Sequence, residues 1–153
     1  MLGLYHEFFV INQEDYDYEG YKKFYNNKNE SLSFEDFIYR YIIETLKWIP
    51  TYNPSTKKNG LGLNSYGVTI IKKEGSIMLD KILRGWIQIF SCIPTKSIIL
   101  TGSWYSVDKK TSLVQFEKEK LKKEEILFML QQLQQYCKKV NSSENNYILH
   151  FGI

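Results

Sequence analysis

Reactive side chains are scarce in this chain. Its 153 residues hold two histidines, His6 and His150, and two widely separated cysteines, Cys92 and Cys137. Metal centres built from clustered Cys and His ligands need more of these residues at close spacing, so no metal is expected. Gly60-Leu61-Gly62 lacks both a third glycine and the Lys-Ser/Thr pair that would cradle a phosphate. Thr101-Gly102-Ser103-Trp104 is not a Gly-x-Ser-x-Gly nucleophile elbow, and Gly102 reads as a bulge or close backbone approach. These absences remove the usual hydrolase, dinucleotide and NTPase signatures, and no cofactor is implied. Alanine is missing altogether. Helices must therefore rest on packing and on Leu, Lys, Glu and Gln. No apolar run is long enough to span a bilayer. The segment Met1–Glu7 has neither the basic nor the apolar region of a signal peptide, and Gly3 is not placed for myristoylation. A cytoplasmic protein without membrane contact is the expectation.

What is present suits a folded domain. The apolar fraction of 43% and aromatic fraction of 16% can fill a core in one domain, residues 1–153, without disulfides. The cysteines read as buried free thiols. The net charge of +3 conceals an asymmetry. Acidic residues prevail in residues 1–50 and basic ones in 51–153. Only Arg40 and Arg84 are arginine among the 20 basic residues. A lysine-dominated surface favours solubility over phosphate recognition, which leans on arginine's planar fork.

Periodicity gives the order β-α-β-α-β-β-α-β. Residues 2–11 alternate with apolar side chains on both faces, as in a central strand. Ser33 with Asp36 makes a capping box before the helical stripe Phe34, Phe37, Ile38, Tyr41, Ile42, Thr45 and Ile49. Pro50 stops that helix, and residues 50–64 read as a long loop. A strand over 65–73 follows, then a turn and cap at Glu74-Gly75-Ser76. The second helix buries Ile82, Leu83, Trp86, Ile87, Phe90 and Ile93, with Gly85 suggesting close packing on a neighbour. Residues 96–107 and 112–118 form a hairpin around Asp108–Thr111. A third helix from about Lys122 to Val140 buries Ile126, Leu130, Leu133, Cys137 and Val140. Residues 147–153 close the sheet. The fold class is α+β: one mixed, mostly antiparallel sheet of about five strands with three helices packed on it.

His6 and His150 both fall on strands. Were those strands neighbours, the imidazoles would meet, and a hydrogen-bonded pair is the expected state. An enzyme built from His6, Glu7, Tyr147 and His150 has no spacing to recommend it. Surface binding is the better fit. Asp15, Tyr16, Asp17, Tyr18 and Glu19 combine charge with tyrosine in a segment that continues to Tyr21 and Tyr25. Trp104 and Tyr105, near Lys109 and Lys110, are the other candidate anchors. Aromatics beside lysines also allow nucleic-acid binding by the lysine-rich remainder, although no RNP-type pattern is present. An exposed edge strand would invite a homodimer.

The layout resembles the small α+β immunity proteins of bacterial polymorphic toxin systems. The resemblance lies in the Gly3-Leu4-Tyr5 strand, the Phe34-Glu35-Asp36-Phe37 helix start and the Tyr66-Gly67-Val68 strand. Leu100-Thr101-Gly102 and the closing Leu149-His150-Phe151-Gly152-Ile153 strand complete it. It implies a non-catalytic protein that binds a cognate toxin domain and occludes it. Toxin nucleases are commonly basic, which would suit the acidic N-terminal third. The alternative is a nucleic-acid-binding accessory protein.

Overall fold

The computed structural model describes residues 4–15, 24 and 31–153. β1 (Tyr5–Asn12) runs into a 3-10 turn at Gln13–Asp15. Then come β2 (Leu32–Glu35), α1 (Asp36–Leu46), β3 (Pro50–Asn53), β4 (Lys58–Leu61) and β5 (Gly67–Ile71). They are followed by α2 (Lys73–Ser91), β6 (Ser97–Val107), β7 (Val114–Lys122), α3 (Lys123–Asn141) and β8 (Asn146–Gly152). Six strands form one sheet in the order β2-β1-β8-β5-β3-β4, and all its pairs are antiparallel. β6 and β7 form a separate two-stranded ribbon.

The sheet is apolar on both faces because its central strands alternate between two cores. Phe8, Ile148 and Ile71 face the helices, meeting Ile38 and Ile42 of α1, Leu79 and Leu83 of α2, and Ile126 and Leu133 of α3. Phe9, Ile11, Ile70, Leu149 and Phe151 form a smaller cluster on the other face, joined by Phe24 and Tyr52. Burying such a side chain contributes about 1.5–3 kcal/mol. The sheet is therefore held from both sides, and β8 at its centre is least replaceable. The third helix matches its expected inner stripe: Ile126, Leu130, Leu133, Cys137 and Val140 are all buried. Its Glu124 and Glu125 at the start and Lys138 and Lys139 at the end complement the helix dipole.

Several sequence expectations change. Ser33 does not cap α1; it sits in β2 opposite Glu7, whose carboxylate accepts its hydroxyl at 2.9 Å. Edge pairing with β1 thus claims the residues that a capping box would have used. The predicted loop over 50–64 contains the β3–β4 hairpin, whose polar side chains gave no alternating signal. The sheet has six strands rather than about five. The β6–β7 hairpin lies outside it because the inward residues Ile98, Leu100 and Leu121 join the helix-side core instead of a sheet edge. Cys92 is exposed, since it caps the end of α2 beyond the packed stripe, while Cys137 is buried.

The two helical glycines exchange roles. A Cβ on Gly85 would meet nothing within 4 Å, so no neighbour packs there. A Cβ on Gly75 would clash with the Pro50 carbonyl oxygen. Gly75 is what lets the start of α2 press against β3. Gly85→Ala should gain about 0.5–1 kcal/mol from helix propensity alone. Gly75→Ala should instead lose stability, by about 1–3 kcal/mol for an overpacked core site. Urea denaturation of both variants checks the opposite signs.

Candidate functional site

The main polar assembly lies between sheet and helices. β1 and β8 are neighbours, with Phe8 opposite His150, which leaves His6 one diagonal step away on the same face. His6 Nδ1 lies 2.9 Å from His150 Nε2, and His6 Nε2 lies 3.2 Å from Asp36 Oδ1. Asp36 is the first residue of α1, placed there by the β2–α1 junction. Its other oxygen accepts Arg40 Nε at 2.7 Å, one helical turn on. Arg40 then reaches Glu117 of β7 through both guanidinium termini, at 2.9 and 3.2 Å. One row of partners thus runs from the central strand through a helix to the ribbon.

Proton positions follow from the partners. Asp36 accepts, so His6 Nε2 carries the hydrogen. His6 Nδ1 is then an acceptor, and His150 Nε2 donates to it. His150 Nδ1 keeps a bare lone pair, with no hydrogen-bond partner among the described residues. The Tyr39 ring stacks on His6 at 3.5 Å with a 19° tilt, and Phe8 lies 4.7 Å from His150. Burial drives both imidazoles below their ordinary pKa. For His6 desolvation outweighs the opposing pull of Asp36; for His150 desolvation is joined by repulsion from His6. Burial likewise pushes the Tyr39 hydroxyl upward.

Both rings are buried, at 1% and 0% exposure. Glu7 and Tyr147, the other residues an enzyme reading would enlist, share the opposite face of the sheet, by the alternation of β1 and β8. Among the described residues no group of three or more His, Cys, Asp or Glu could hold a metal ion. The assembly is a structural lock. Sequence reading found its histidines and missed Asp36, Arg40 and Glu117. The i,i+4 spacing of Asp36 and Arg40 was a visible signal; Glu117 had none.

The lock fixes the ribbon. Arg40 lies beneath Trp104, 5.4 Å from its ring centroid, and 5.5 Å from Phe37. Between Thr101 and Tyr105 the register shifts by a bulge. There a Cβ on Gly102 would sit 3.0 Å from Glu117 Oε2 and 3.1 Å from Phe37 Cε2. The expected close approach at Gly102 is therefore present. Beyond it the ribbon stands in solvent. Trp104 is 66% exposed and Tyr105 63%. Val107, Leu113, Val114 and Phe116 are exposed as well, and Tyr105 pairs with Phe116 at 5.9 Å. The turn is ordered by Asp108, whose carboxylate accepts the N–H of Lys110 and of Thr111, both at 2.8 Å. Those bonds hold its pKa below the usual value.

The candidate residues thus divide. Trp104 and Tyr105 are on one ribbon. Asp15 ends the 3-10 turn after β1. Tyr16, Asp17, Tyr18 and Glu19, with Tyr21 and Tyr25, lie outside the described residues. No helix of the described residues is long and apolar enough to cross a membrane. No known protein family, curated protein or solved structure matches the chain.

Two outcomes follow from the lock. The folded pair stays neutral below the ordinary histidine pKa of 6.5, where the unfolded chain takes up protons. Stability should be complete above that pH and fall as pH drops through it. Denaturant midpoints from about pH 8 to about pH 5 should show the loss, and His150→Leu should flatten it. Arg40→Met removes charge-assisted bonds to two carboxylates and should cost about 1–3 kcal/mol. Hydrogen exchange should then quicken in β6 and β7 more than in β8.

Proposed function

We propose that this chain is a non-catalytic protein-binding module, of the toxin-neutralising kind implied by its resemblance to immunity proteins. The supporting observation is the β6–β7 ribbon. A two-stranded hairpin is marginal alone, and this one spends little of its apolar surface on its own core. It holds Tyr105, Val107, Val114 and Phe116 in solvent instead. Exposed apolar clusters with a polar surround mark interaction sites. Aromatic anchors carry much of the energy at such sites, and a ribbon held by Arg40 loses little entropy on docking. Occlusion of a partner needs no chemistry from this chain, which suits histidines sealed in the core.

The acidic segment Asp15–Glu19 supplies steering in this reading, with basic toxin domains as its natural targets. Co-expression with the toxin-like product of the adjacent gene, scored by growth and co-purification, tests it. Rescue and a stable complex are expected. Tyr105→Ala with Phe116→Ala should weaken that complex by roughly a hundredfold, at about 2–3 kcal/mol for an anchor pair, with the melting temperature nearly unchanged. Failure of both rescue and co-purification removes the proposal.

A further inference from the structure

The charges on β7 are segregated by face. By alternation Lys118, Lys120 and Lys122 share the outward face with Val114 and Phe116, and Glu117 and Glu119 take the other. β6 offers them no counter-charges. Opposite the lysines stand Thr101, Ile99 and Ser97, and opposite Glu119 stands Leu100. Glu117 is used by Arg40, and Lys122 pairs with Glu125 at 2.8 Å. Lys118, Lys120 and Glu119 have no ion-pair partner among the described residues. Among the described residues no strand pairs with the other edge of β7. Its backbone groups are therefore unpaired by any described strand, and the exposed Lys118 and Lys120 stand beside them on the outward face.

A second copy does not fit there. A two-fold pair of identical edges runs antiparallel and sets each residue opposite one of the same face. On β7 every such register sets Lys against Lys, Glu against Glu, or a charge against an apolar side chain. Centring on Lys118 opposes Glu117 to Glu119, and centring on Glu119 opposes Lys118 to Lys120. Like charges directly opposite are destabilising, so the pattern works against self-pairing. A strand with carboxylates on the lysine face satisfies the edge.

We propose that the free edge of β7 takes up an extended strand of a different protein, one that alternates carboxylates along the face of Lys118, Lys120 and Lys122. The inference rests on the protein-binding reading and adds the chemistry of the partner's strand. Backbone bonds would supply affinity and the lysine row selectivity. The test uses the full chain and two synthetic peptides of roughly ten residues. In one, threonine and valine alternate with glutamate; in the other, lysine replaces glutamate. The glutamate peptide should bind and protect β7 amides from exchange, and the lysine peptide should bind roughly tenfold more weakly. Lys118→Glu with Lys120→Glu should invert the preference, and Lys118→Gln with Lys120→Gln should abolish it. Three results would overturn the proposal: an unchanged preference in both variants, a wild-type dimer with β7 already protected, or tighter binding of oligouridylate that leaves β7 amides exchanging. If Tyr105→Ala and Phe116→Ala weaken the toxin complex but the lysine variants do not, strand addition fails and the binding reading stands. If no complex forms at all, the binding reading itself is lost.

Discussion

Asp36 is the constraint on which the arrangement turns. One carboxylate oxygen receives His6 from the sheet and the other receives Arg40 from the next turn of its own helix. A buried carboxylate with both oxygens satisfied costs far less than one left bare. Each neighbour is in turn committed. His6 accepts the hydrogen bond that His150 donates, and Arg40 holds Glu117. Removing His150, His6 or Arg40 leaves a buried polar atom of a neighbour without its partner. Sheet, helix and ribbon are therefore coupled by polar bonds with narrow geometric tolerance, where apolar packing alone would accept small shifts.

This coupling joins a centre that is paired and buried to an edge that is exposed. β8 is paired on both sides and buried on both faces. Among the described residues the ribbon is paired only with itself, and it is attached at its root by Leu100, Arg40 and the Gly102 bulge. Local stability follows buried contact, so exchange and opening concentrate at the ribbon tip. The aromatic residues at the tip stay exposed, while the root from which they project is tied to the core.

The same division bears on chemistry. Histidine near neutral pH is a natural base, yet here desolvation holds both rings neutral and Tyr39 and Phe8 cover them. The exposed charge and aromatic side chains lie instead on the outward face of the ribbon.

The sequence by itself determined the elements whose pattern is local. The inner stripe of α3, the two-faced β1 and the hairpin around Asp108 were all legible, because period and turn chemistry act over a few residues. β2 was read as a helix start, since Ser33 and Asp36 satisfy a capping pattern until a neighbouring strand competes for them. β3 and β4 were hidden because their polar side chains carry no alternation. Tertiary structure decided which strands adjoin, and with that everything about the lock. His6 meets His150 only because β1 pairs with β8, and Arg40 meets Glu117 only because the ribbon folds back over α1. Such contacts join residues far apart in the chain, and no local periodicity encodes them. The lysine face was present in the sequence as simple alternation. Only the tertiary structure, in which no described strand pairs with that edge, made it a surface.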